Sequence, residues 1–302
     1  MVRINLKERL KKKVFILDGA MGTQLFARGI EVGKCNDYLN IESPDVVFDI
    51  QKSYIEAGSD AVLTNTLGAN KIALAKHGLG DKAKEINTAA AQIARKAAGN
   101  EKYVLGDIGP GGEFLEPLGT LKPQRLREAF VEQAQVLVES GVDGIIIETF
   151  SAVDEIKVAV EAVKSVCGDL PVFASMSFDE AGDDFRTMMG VDVQTAVSAL
   201  ASAGVDAAGF NCGSVSLDGY VRLADRFVKA IKALGEDVLI FAEPNAGKPE
   251  LIDNKAVYKV TPAEFADAVE KIHSAGINII GGCCGTGPEH IKALAKELKN
   301  RD

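Results

Sequence analysis

Tryptophan is absent from these 302 residues, and aromatic side chains make up only 6% of them. No apolar run approaches the roughly 18–20 residues needed to span a bilayer, so no membrane partner is expected. The opening stretch, Met1 to Lys13, lacks an apolar core of signal-peptide length, which argues against secretion. Its charges, with Leu6 and Leu10 at helical spacing, predict a short amphipathic helix over 3–12 packed under the fold. Cysteine is sparse and odd in number, with Cys35, Cys167, Cys212, Cys283 and Cys284. An odd count without an export signal points to a reducing compartment and free thiols, so a cytoplasmic protein without disulfides is expected. The 34 Lys and Arg are outnumbered by 43 Asp and Glu, and a net charge of -9 argues against a nucleic-acid partner. No low-complexity linker interrupts the chain, so a single domain over 1–302 is expected.

What is present is monotonous. Thirty glycines punctuate apolar strand-like runs that alternate with amphipathic helical stretches. The runs are Val14–Leu17, Ala61–Thr66, Tyr103–Ile108, Gly144–Thr149, Val172–Phe178, Ala207–Gly213, Val238–Ala242 and Ile277–Gly282. Helices are predicted between and after them, over Pro44–Ala57, Lys82–Ala98, Pro123–Ser140, Val153–Val166, Asp192–Ala203, Leu217–Leu234, Pro262–Ser274 and Pro288–Leu298. Ser43 stands as N-cap before Pro44. Gly58, Gly141, Gly204 and Gly276 close helices just before the next strand. Eight strand–helix units predict an α/β fold of the (β/α)8 barrel type. An open doubly wound sheet is the alternative, but Asp18-Gly19-Ala20-Met21-Gly22 after the first strand does not spell its nucleotide fingerprint.

In such a barrel the active site lies at the C-terminal strand ends. Those ends carry Asp18, Asn65, Thr66, Asp107, Glu148, Thr149, Ser177, Asn211, Cys212, Glu243, Asn245, Cys283 and Cys284. Gly281-Gly282-Cys283-Cys284-Gly285-Thr286 is the most telling stretch. A vicinal disulfide is strained, so two thiolates between glycines read as half of a soft-metal site. Cys212, at the end of the sixth strand, is the expected third ligand. Three thiolates leave the fourth position of a tetrahedral zinc open, as in catalytic sites. Such a site is too electron-rich to activate carbonyls but suits alkyl transfer to sulfur. Removing a thiol proton there saves about 2 kcal/mol at pH 7, from a free pKa of roughly 8.5. Cys35 and Cys167 are expected to be bystanders and His77 to be exposed. His290 is expected to serve as a cap or surface residue, and Gly109-Pro110-Gly111-Gly112 as a flexible loop.

Taken together, Leu17-Asp18-Gly19-Ala20-Met21-Gly22-Thr23, Thr64-Asn65-Thr66, Gly106-Asp107-Ile108-Gly109-Pro110, Glu148-Thr149-Phe150, Asn211-Cys212-Gly213, Pro244-Asn245-Ala246-Gly247 and the double-cysteine motif resemble the zinc-dependent homocysteine S-methyltransferases over nearly the whole chain. Within that family the chain is most similar to the homocysteine-binding module of cobalamin-dependent methionine synthase. The resemblance implies that Cys212, Cys283 and Cys284 bind Zn2+, with Asn245 an exchangeable oxygen ligand. It implies that Asp18 and Glu148 hold the ammonium of L-homocysteine and the Gly19–Gly22 amides its carboxylate, with Asn65, Thr66 and Asp107 as weaker site candidates. Thr149 stands where betaine-using relatives carry Tyr, and the rim offers few aromatics for a quaternary-ammonium cage. The implied donor is methylcobalamin on a corrinoid protein or domain. The alternatives are a free donor such as S-methylmethionine, or a non-catalytic docking subunit for a corrinoid protein.

Overall fold

A computed structural model of the chain describes residues 3–31, 33–252 and 255–299. The domain bounds expected at 1 and 302 lie outside the described residues. The strands are β1 (Phe15–Ile16), β2 (Ala61–Leu63), β3 (Tyr103–Ile108), β4 (Gly144–Phe150), β5 (Val172–Met176), β6 (Asp179–Ala181), β7 (Asp184–Arg186), β8 (Ala207–Asn211), β9 (Leu239–Glu243), β10 (Glu250–Ile252), β11 (Lys255–Val257) and β12 (Ile279–Ile280). The helices are α1 (Leu6–Leu10), α2 (Gly22–Ala27), α3 (Leu39–Glu42), α4 (Pro44–Ala57), α5 (Lys71–Ala75), α6 (Ala83–Ala98), α7 (Pro123–Glu139), α8 (Val153–Lys164), α9 (Val193–Ser202), α10 (Leu217–Leu234), α11 (Pro262–Ser274) and α12 (Pro288–Lys299).

Among the described residues eight strands pair in parallel in the order β1-β12-β9-β8-β5-β4-β3-β2. The two ends of that order meet, since Asp60 N–H donates to Ile16 O at 2.7 Å and the Ser59 hydroxyl to Leu17 O at 3.1 Å. The sheet is therefore wound into a (β/α)8 barrel, with α4, α6, α7, α8, α9, α10, α11 and α12 following its successive strands. The alternative, an open doubly wound sheet, is excluded by this junction. Gly58 and Gly276 end helices at φ 115°, where a side chain would be strained. Ser43 occupies the N-cap of α4, but its side chain makes no capping bond.

Alternation along the strands builds the interior, because successive side chains point to opposite faces. Phe15, Tyr103, Leu105, Ile146, Phe173 and Phe241 fill the lower barrel as one buried cluster. Leu6 and Leu10 of α1 join that cluster and seal its floor, as the amphipathic spacing predicts. Two residues further up the same faces the side chains turn polar: Asp107 after Leu105, Glu148 after Ile146, Ser175 after Phe173 and Glu243 after Phe241. Two antiparallel hairpins that sequence reasoning missed, β6–β7 and β10–β11, stand on the loops at this upper end. Among the described residues no helix is long and apolar enough to cross a membrane.

Candidate metal and substrate site

Three loops bring the sulfurs together. The turn after β12 is bonded to the loop after β9 on both sides of Asn245: Cys283 N–H donates to Pro244 O and Ala246 N–H to Cys284 O, each at 2.9 Å. Cys212, just past β8, adopts φ 54°, an uncommon left-handed conformation for a residue with a Cβ. The fully buried Tyr220 supports it, its hydroxyl donating to Cys212 O at 2.7 Å. The result is that the sulfurs of Cys212, Cys283 and Cys284 all lie within 4.8 Å of one another, and those of Cys212 and Cys284 stand 3.8 Å apart. Tetrahedral zinc with Zn–S of about 2.3 Å needs sulfurs about 3.8 Å apart, so the donor set fits the ion in number, type and spacing.

Sulfur electrostatics agree. Hydrogen bonds from Cys212 and Cys283, with a further one from the Tyr258 hydroxyl, hold the Cys284 thiol down at about 3. For Cys212 the bond to Cys283 lowers the pKa, but the bond to Cys284 and burial outweigh it and push it up to about 11. Crowding thus drives the pKa values of the three thiols apart, and a divalent cation would take the place of their protons. Asn245 is 1% exposed; its Nδ2 donates to Gly213 O at 2.8 Å, while its Oδ1 has no partner among the described residues. A buried, unpaired amide oxygen on a loop bonded to both cysteines suits an exchangeable oxygen ligand.

Beside the sulfurs lies a layer of buried carboxyls: Asp18, Asp107, Glu148 and Glu243 are 2–9% exposed. Burial is the largest cause raising each pKa, and repulsion from neighbouring carboxyls adds to it for Asp18, Asp107 and Glu243. Glu148 is pushed up to about 7 by burial and then by Cys212, although a hydrogen bond from Glu243 pulls the other way. Asp18 accepts from Leu63 N–H at 2.9 Å. Asp107 Oδ1 and Glu243 Oε2 have no partner among the described residues. Such a cluster is complementary to a cation.

Asn211 ties the layer to the sulfur cluster, its Nδ2 lying 3.9 Å from Cys283 Sγ. Its Nδ2 reaches Glu148 Oε2 at 2.7 Å and Thr149 Oγ1 at 2.8 Å, and its Oδ1 accepts from Ser175 Oγ and Thr149 N–H. Sequence reasoning placed Asn211 in a motif and gave it no role. It likewise set Glu243 at the rim without a role, although strand alternation puts Glu243 two positions above Phe241 on the inner face. Tyr258 gave no local signal, since it follows a hairpin and reaches Cys284 only through the fold.

A cavity of about 520 Å3 opens over these groups, lined by Asp18, Gly19, Ala20, Met21 and Gly22, by Asn65, and by Glu148 and the three cysteines. Ala20 N–H is already bonded to Thr286 Oγ1 at 3.2 Å, while Gly19, Met21 and Gly22 of that turn line the space. Asn65 lines the cavity but uses its Nδ2 on Asn36 O at 2.8 Å. Thr66 does not line it: the residue is fully buried beneath, its hydroxyl donating to Asp107 O at 2.7 Å. Cys167 is buried in the core, and Cys35 lines the cavity but is not part of the three-sulfur cluster. His77 is exposed at the cavity edge. His290 caps α12 by accepting from Gly287 N–H and links it to Val260 O. The 109–112 segment is pinned rather than loose, with Gly109 N–H on Leu67 O and Gly111 N–H on the Glu155 carboxylate.

Comparison with known proteins follows the same lines. The chain is 33% identical to methionine synthase from Mycobacterium tuberculosis (strain ATCC 25618 / H37Rv), over 98% of this chain and 25% of that protein. It is also 33% identical to methionine synthase from Mycobacterium leprae (strain TN), over 96% of this chain and 25% of that one. The chain thus spans a quarter of the length of these relatives. The homocysteine methyltransferase MmuM from Escherichia coli, in its oxidized form, has the same fold, with a TM-score of 0.77 at 23% identity over 99% of this chain and all of that one. The family model for homocysteine S-methyltransferases matches residues 15–298, from the first barrel strand to the last helix, and the chain belongs to that family.

Proposed function

We propose that this chain transfers a methyl group to the sulfur of L-homocysteine, giving methionine, at a zinc ion held by Cys212, Cys283 and Cys284. The observation that carries the reading is the 3.8 Å spacing of Cys212 and Cys284 beside the unpartnered Asn245 Oδ1. Zinc held there would keep the homocysteine sulfur as an electron-rich thiolate at neutral pH. Asn245 would yield its place to that sulfur. Glu148 and Asp18 receive the substrate ammonium, and a cation among four buried carboxyls restores their ionised forms. The amides of Gly19, Met21 and Gly22 face the substrate carboxylate. Asn211 fixes Glu148 relative to the sulfur ligands, so the amino-acid end and the thiol end of the substrate are held to one geometry.

The donor in this reading is methylcobalamin carried by a separate corrinoid protein or domain. Identity with methionine synthases supports it. So do exposed apolar side chains on the loops that follow the C-terminal strand ends: Leu67, which lines the cavity, and Phe114, Leu118, Met188, Leu251 and Ile252. Side chains of this kind suit a large partner better than a small diffusing donor.

The test is metal content and zinc X-ray absorption under reducing conditions, followed by a panel of donors. We expect one zinc per chain, a shift towards sulfur ligation when homocysteine is added, and loss of the metal in Cys212→Ala. Turnover should require a methylated corrinoid and fail with S-methylmethionine alone. Protein without zinc, or Cys212→Ala retaining it in full, would overturn the metal reading; turnover with S-methylmethionine alone would overturn the donor.

A further inference from the structure

The hairpin β6–β7 leaves the barrel after β5 and has no part in the proposed chemistry, yet its first residues are bonded in register to the loop bearing Cys212. The Ser177 hydroxyl donates to Asn211 O at 2.8 Å. Phe178 O lies where a Cβ on Gly213 would fall, 1.8 Å from it, so only glycine lets the two backbones touch. Asp179 Oδ1 accepts from Ser214 N–H at 2.7 Å. Glu180 Oε1 accepts from Ser216 Oγ at 2.9 Å and pairs with Arg222 at 2.8 Å. A Cβ on Gly219 would come within 2.3 Å of that same carboxylate oxygen, so the first turn of α10 is open to admit it. The other oxygen, Glu180 Oε2, pairs with Lys248, three residues past Asn245.

One carboxylate therefore joins the Cys212 loop, the start of α10 and the Asn245 loop. From this geometry we propose that Glu180 is a positioning residue: it clasps the loops of Cys212 and Asn245 together and so sets the third sulfur and the oxygen ligand of the metal site. Cys212 needs such a hold. It sits alone on its loop in a left-handed backbone conformation, whereas Cys283 and Cys284 share one turn. The clasp rests on the metal reading above. It assigns to Glu180 no contact with substrate or metal.

The test uses Zn2+ competition against a chromophoric chelator and the visible spectrum of the Co2+-loaded protein, in the wild type and in Glu180→Ala, Lys248→Met and Arg226→Ala. Arg226 pairs with Asp184 at the far end of the same hairpin and serves as the matched control. We expect Glu180→Ala to bind zinc about 10–100-fold more weakly and to change the cobalt d–d bands. Lys248→Met, an exposed change that leaves the Cys212 contacts intact, should shift the same bands with a several-fold weaker affinity. Arg226→Ala should match the wild type in both. If Glu180→Ala fails to fold, Lys248→Met alone decides. Affinity within twofold of wild type with an unchanged cobalt spectrum would overturn the clasp, as would an equal loss in Arg226→Ala. A wild-type chain that takes up neither metal would overturn the metal site itself, and the clasp with it.

Discussion

Glu148 shows how much a single side chain depends on its surroundings. On an open surface it would be an ordinary carboxylate. Here burial and the Cys212 sulfur bring it to about 7, while Asn211 aims one of its oxygens at 2.7 Å. Replacing it with Gln keeps the shape and the Asn211 contact but removes a charged partner for an ammonium, an interaction of about 1.5–3 kcal/mol. We therefore expect Glu148→Gln to weaken homocysteine binding by about 10–100-fold, measured calorimetrically, while zinc content stays at the wild-type level. Loss of zinc would instead make Glu148 a support of the metal ligands. At this scale the sequence was readable where chemistry is local. Two adjacent cysteines between glycines declare themselves, and Asp18 and Glu148 end apolar runs. Thr66 misled because it ends such a run too, yet its hydroxyl turns down onto Asp107 O. Which neighbour a hydroxyl finds depends on the adjoining strand.

Among the elements, α1 has the plainest physical task. Its Leu6 and Leu10 close the barrel floor, and Asp60 ties it there. That carboxylate accepts from Arg9 of α1 at 3.2 Å, Ile16 N–H at 3.1 Å, Lys102 at 3.1 Å and Lys299 of α12 at 3.2 Å. Burial raises its pKa, but Lys299, Lys102, the Ile16 amide and Arg9 outweigh that and hold it below the ordinary value. A depressed pKa means stabilisation that is present above the unfolded value of about 3.9 and is lost as pH falls through the folded one. Asp60→Asn should thus cost about 2 kcal/mol at pH 7. The gap to wild type in urea unfolding should close as pH drops below 4. A gap that stays constant down to the acid limit would assign the loss to packing. The helices and barrel strands were legible because each pairs an apolar run with a capped amphipathic stretch. The hairpins were not, since Asp179–Arg186 and Glu250–Val257 are short and carry no sustained apolar run. Their strands are held by each other and by loop contacts, with Phe185 of β7 the one side chain of the first hairpin's strands that is buried in the core.

For the molecule as a whole, the exposed apolar side chains on the upper loops are the surface most open to test. Phe114 and Leu118 are 55% and 71% exposed, on the loop between β3 and α7. Leu118→Asp should slow methyl transfer from a corrinoid protein by about tenfold or more, the effect of one well-placed contact worth over 1 kcal/mol. The rate with free methylcobalamin should be unchanged. Equal slowing of both rates would remove these side chains from the docking argument. The floor of the same barrel carries a kinetic consequence. With Leu6 and Leu10 stoppering one end, the amino acid and the methyl carrier of the proposed reaction would share the doorway at the other. A bulky visitor standing in that doorway bars the amino acid from entering or leaving. Traffic should then be compulsory in order, homocysteine first and methionine last, and excess methyl carrier should act as a substrate inhibitor by trapping the empty chamber.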